Sequence, residues 1–151
     1  MTTISRGLTA RRGVDAGLRL IAGVGLLVSA YIHLHLAPGY SLVGDQITEG
    51  ALFRAQALAA GLAGLSLLVR RHRLAWAPAV LVAADSLVVL VGTVYVNVPA
   101  VGPFPPLYEP AWFGEKVVAV ASAAAALTAA ASGAALYRLT AGPPGPAASR
   151  L

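Results

Sequence analysis

A chain of 151 residues that is 58% hydrophobic and 11% charged, with a mean hydropathy of +0.75, is far from an ordinary soluble domain, in which about a quarter of the residues are charged. It implies a polytopic membrane protein with one helical domain and no room for a soluble one beside it. The absence of cysteine excludes disulfide exchange, iron–sulfur ligation and thiolate zinc sites from this chain. The net charge of +5 does not imply nucleic acid, because the basic residues cluster at the ends of apolar runs and cover no face.

Residues 1–19 carry Arg6, Arg11, Arg12 and Arg19 without apolar periodicity and read as a cytoplasmic N-terminal segment. A four-helix transmembrane domain over 20–138 follows, with helices expected at about 18–37, 50–69, 74–97 and 113–137. The first apolar run, 20–36, has no formal charge and is stopped by Pro38-Gly39. A cleaved signal peptide with Val28-Ser29-Ala30 as its small-residue site is the rival reading, disfavoured because apolar character continues through Leu36.

The second span is the shortest, since only 55–69 lies between Arg54 and Arg70; its helix must begin near Gly50, with Arg54 snorkelling outward. Arg70-Arg71-His72-Arg73 then makes a tight basic turn. The third apolar run, 74–98, is about 25 residues long, and at 1.5 Å each that exceeds a hydrocarbon core of roughly 30 Å. It carries one acid, Asp85, near its middle. That acid costs about 2.5–3.5 kcal/mol on insertion, which the Leu and Val residues of the run, at about 0.3–0.6 kcal/mol each, outweigh.

Residues 98–115 hold Pro99, Pro103, Pro105, Pro106 and Pro110, which remove donors and fix φ, interleaved with Phe104, Tyr108, Trp112 and Phe113. They predict an extended loop, lying against the membrane surface or folding over the mouth of the bundle. The fourth span is mostly Ala, and residues 139–151 read as a disordered Pro/Gly tail. Nine basic residues fall on the N-terminal side of the membrane and two, Arg54 and Lys116, on the other, which places both termini in the cytoplasm of a multi-pass plasma-membrane protein.

Two polar layers follow from helical spacing. His33, Gln56, Glu115, Tyr95 and Asn97 lie within about two turns of the outer surface and, with Arg54 nearby, form a candidate outer-leaflet ligand pocket. Arg54 and Glu115 have a plainer alternative, an outer salt bridge between the second and fourth helices. His33 shares a face with Gly25 and Ser29, whereas His35 is about 200° around and is the spare histidine. Asp85 sits roughly 10 Å deeper, expected to be buried among close-packed helices, with Ser29 and Ser122 as its nearest partners. Whether His33 or His35 binds a metal stays open: one His with Glu115 falls short of the three protein ligands of a catalytic zinc. No phosphate loop, Ser-His-Asp arrangement or glycosidase-like carboxylate pair is present, which weighs against an enzyme.

Tyr31-Ile32-His33-Leu34-His35-Leu36, then Gly39-Tyr40, then Leu52-Phe53 and Gln56 at the opening of the second span, resemble a group of uncharacterised four-helix membrane proteins common in actinobacteria. Arrangement and size are loosely similar to DoxX-like membrane proteins, some of them associated with quinone-linked redox chemistry. The resemblance implies a four-helix architecture and marks His33 and Gln56; it carries no reaction over.

The leading expectation is therefore an all-α, four-helix transmembrane bundle serving as a non-enzymatic subunit or accessory of a membrane assembly. Its partners would be the lipid bilayer and copies of itself or other membrane subunits, with no nucleic acid. One alternative is a redox or ligand-binding protein holding a quinone, haem or lipid in the outer pocket, although the sequence requires no cofactor. Another is proton-coupled transport through Asp85.

Overall fold

The computed structural model describes residues 2–70 and 72–140, with side chains placed for 10–70 and 72–138. It is all-helical among these residues: α1 (Thr2–Leu36), α2 (Glu49–Val69), α3 (Trp76–Tyr95, entered through a 3-10 turn at Arg73–Ala75) and α4 (Gly114–Thr140). Each contains a stretch long and apolar enough to cross a membrane. The expected disordered tail falls, from residue 141 on, outside the described residues.

α1 begins at Thr2, far upstream of the expected start near 18. The arginine-rich segment continues the helix, and Arg19 pairs with Asp15 one turn earlier at 2.8 Å. α2 is capped by Thr48, whose hydroxyl accepts from the Ala51 amide.

The helices stand in a square in chain order. α1 packs on α2 and α4, α3 packs on α4, and α2 meets α3 along the loosest of the four seams; α1 and α3 barely touch across one diagonal. Small residues make the close approaches, as membrane bundles require in the absence of a hydrophobic force between helices. α1 and α2 cross so tightly at Gly23 and Gly64 that a Cβ at Gly64 would lie 2.9 Å from the Gly23 carbonyl oxygen.

The two ends of the bundle differ. At the end bearing the 70–73 turn, Trp76, Leu67 and Leu26 are fully buried among alanines of all four helices, including Ala22, Ala63, Ala79 and Ala130. The Trp76 indole lies against Gly133, where any side chain would collide with it. The Arg19 guanidinium covers the ring from above, 4.8 Å from its centroid, and donates to the Arg70 carbonyl at 3.0 Å, at the C-terminal end of α2 where a cation is favoured. That end is closed. No comparable plug fills the other.

Candidate functional site

At the loop end the square opens into a cavity of about 420 Å³, lined by all four helices and by the 98–113 loop. Its walls are mostly apolar, with a few convergent polar groups, the usual make-up of a small-molecule site.

One wall is an aromatic column. The Tyr40 ring stacks on Phe53 at 4.7 Å, and Phe53 lies tilted against His33 at 5.4 Å. His33 is 6% exposed, and its Nδ1 donates to the Ser29 carbonyl one turn earlier at 2.8 Å. That acceptor assigns the Nδ1 hydrogen and leaves Nε2 without a partner among the described residues. Ser29 Oγ also lies 3.4 Å from Ser86 Oγ on α3, tying α1 to α3 at the back of the cavity. Gln56 faces in from α2, with Nε2 donating to the Val82 carbonyl at 3.4 Å.

The loop forms the roof. Antiparallel pairing of Val98 with Leu107 and of Val101 with Phe104 folds it back on itself. Glu109 then docks it: its amide donates to the Thr93 carbonyl at 3.0 Å, its carbonyl accepts from Lys116 Nζ at 2.6 Å, and its carboxylate accepts from the Tyr40 hydroxyl at 3.1 Å. Pro103 adds a fourth anchor by accepting from the Ile47 amide at 3.1 Å. Burial, reinforced by the neighbouring Glu109 carboxylate, pushes the Tyr40 phenol up to about 12, so it stays a donor across the physiological range. Lys116 is 3% exposed and lies 5.9 Å from the Trp112 ring.

The residues singled out from the sequence are distributed unevenly. His33, Gln56 and Asp85 line the cavity. Glu115 does not: it is exposed on α4, and the neighbouring Lys116 points in. Tyr95, 73% exposed, and Asn97 face outward at the end of α3. Arg54 donates to Ser41 Oγ at 3.2 Å, and it forms no ion pair with Glu115 among the described residues, because α2 and α4 occupy opposite corners of the square.

Asp85 requires a correction of a different kind. It was expected to be buried, and it is exposed on the isolated chain, at the α2–α3 edge of the cavity. The face of α3 turned toward the other helices is Ala79, Ala83 and Ser86, and one residue back from Ser86 is a rotation of about 100°. Ser29 accordingly meets Ser86, and Ser122 bonds within α4 to the Ala119 carbonyl. His35 stacks on Tyr31 on the outside of α1, away from His33. Among the described residues no group of three His, Asp or Glu could hold a metal ion.

Tyr40, Glu49, Glu109, Lys116 and Thr93 were missed. The sequence did signal Tyr40, through the Gly39-Tyr40 step beside the first span. Of the residues quoted for the family resemblance, Ile32, His33, Leu36, Tyr40, Leu52, Phe53 and Gln56 all line this one cavity. No protein-family model, curated protein or solved structure matches the chain.

Proposed function

We propose that this is a multi-pass plasma-membrane protein, both termini cytoplasmic, that binds a small amphipathic molecule in the roofed cavity of the outer leaflet. The observation that carries the reading is the cavity itself. One end of an alanine-packed bundle is sealed by Trp76 and Arg19, while the other keeps about 420 Å³ of mostly apolar space beneath a loop held by four hydrogen bonds. A bundle whose only task was to pair with other subunits would gain from closing both ends alike.

The exposed leucines of α2, Leu58, Leu62 and Leu65, need only lipid to cover them, so the subunit reading gains nothing specific from them. Membership of the actinobacterial four-helix, loosely DoxX-like group is part of the proposal. A quinone or another neutral amphipath falls within the same ligand-binding reading.

The test is mass spectrometry of small molecules extracted from gently purified protein, compared with Ala59→Phe and Ala119→Phe, both of which fill the cavity. The expected result is a molecule retained by the parent chain and lost from both variants. Equal retention by all three, or nothing beyond bulk lipid in the parent, would refute it. Orientation is read separately by placing a cysteine at His72 in this cysteine-free chain: an impermeant maleimide added to intact cells should leave it unlabelled.

A further inference from the structure

The polar groups of the cavity are unbalanced in charge and in hydrogen bonding. Three carboxylates, Asp85, Glu49 and Glu109, line it against one ammonium, Lys116, which already donates to the loop. Glu109 accepts from Tyr40, but Asp85 has no hydrogen bond or ion pair among the described residues. His33 adds a further unused acceptor at Nε2. A wall with spare acceptors and surplus negative charge is complementary to a positive guest.

The routes into the cavity are also unequal. The aqueous side is roofed by the loop, pinned through Glu109 and Pro103. The side facing lipid is held more weakly: α2 and α3 pack loosely, joined by the long Gln56–Val82 hydrogen bond at 3.4 Å, and the cavity residues Ala55, Val89 and Asp85 on either side of that seam are all exposed. Asp85 stands ten residues from the loop end of α3, so it lies about 15 Å below that end by helical rise. An acidic side chain at that depth, exposed beside the α2–α3 seam, stands where a guest sliding in from the bilayer would pass it.

We propose that the ligand is a lipophilic monocation that enters sideways from the bilayer between α2 and α3 and sets its charge against Asp85. This rests on the ligand-binding reading above and adds the chemical class and the route.

The experiment uses two ions of nearly the same shape and opposite charge, tetraphenylphosphonium and tetraphenylborate, with the full chain in nanodiscs. Tetraphenylphosphonium should bind at least tenfold more tightly than tetraphenylborate. Asp85→Asn should weaken the phosphonium tenfold or more without weakening the borate, and Asp85→Glu should restore most of the loss. Equal binding of the two ions, or an Asp85→Asn protein that holds the phosphonium as well as the parent, overturns the charge assignment.

Route is read from association rates. Bulky residues on the seam, Ala55→Trp with Val89→Trp, should slow phosphonium binding tenfold. A disulfide between Ile47→Cys and Pro103→Cys, which locks the roof, should leave the rate unchanged; the reverse pattern overturns lateral entry. If the parent chain retains an extracted neutral molecule and ignores both ions, the ligand class fails and the binding function stands. If it retains nothing and binds neither ion, both fail together.

Discussion

Gly133→Ala is a sensitive probe of how the closed end is built. In an exposed helix the change would stabilise by about 1 kcal/mol, since glycine is the poorer helix former by that amount. Here the new methyl would collide with the six-membered ring of Trp76, which is 1% exposed and covered by Arg19. An indole so enclosed cannot swing aside, and overpacking of this kind costs about 1–3 kcal/mol. The net expectation is a change between nothing and about 2 kcal/mol of destabilisation. In a Trp76→Ala background the collision is gone, and the same substitution should stabilise by about 1 kcal/mol. The two effects therefore differ by about 1–3 kcal/mol, a coupling that a double-mutant cycle resolves. Reversible unfolding in mixed detergent micelles supplies the four free energies. If Gly133→Ala stabilises equally in both backgrounds, the indole does not lie on Gly133 and the account of the closed end is wrong.

Other consequences are as direct. Gly64→Val would drive its Cβ against the Gly23 carbonyl and should destabilise by about 1–3 kcal/mol, whereas Gly61→Ala, whose nearest neighbour would be 4.0 Å away, should be neutral or mildly stabilising in the same assay. Lys116→Met removes a charge-assisted hydrogen bond worth about 1.5–3 kcal/mol. Amide exchange over 98–113 should accelerate about tenfold to a hundredfold while exchange in α1 is unaltered. Tyr40 should titrate near 12 by its absorbance, as a transition missing from Tyr40→Phe. Because folding raises this phenol above its unfolded value of about 10, its contribution is complete below pH 10 and is lost as pH climbs toward 12. A roof as firmly held at pH 12 as at pH 9 would contradict that sign.

The helices were legible because membrane insertion depends on length and apolarity, which the sequence displays directly. Rotation about each helix axis was harder. On α1 the small residues Gly25 and Ser29 sit on the face that carries His33, and that face is buried. On α3 the expectation of an inward-facing Asp85 chose the wrong face: Gly92, seven residues on along the same face, has nothing within 4 Å of where a side chain would start. The stripe that packs is Ala79, Ala83 and Ser86, at spacings of four and three, and it was visible in the sequence as a competing small-residue face. The roof was not legible residue by residue. Its docking depends on Glu109 reaching Tyr40, 69 positions away, and no local pattern encodes such a contact. The choice of Glu115 over Lys116 failed for a related reason: at the first turn of α4 one residue of phase decides whether a side chain faces the loop or the lipid.

Asp85 shows why the two ends of the bundle should be considered apart. Its insertion cost of about 2.5–3.5 kcal/mol is offset by the leucines and valines of α3, at about 0.3–0.6 kcal/mol each, so the helix tolerates it without a partner. It does not help the fold, since it joins none of the contacts of the alanine core and a Leu in its place would insert more favourably. A polar residue that weakens insertion, escapes the packed core and stands at the edge of the roofed cavity is placed for what enters that cavity. Stability therefore resides at the closed end, in Trp76, Leu67 and the glycine and alanine crossings, and the loop end is left free to keep an opening that close packing would otherwise remove.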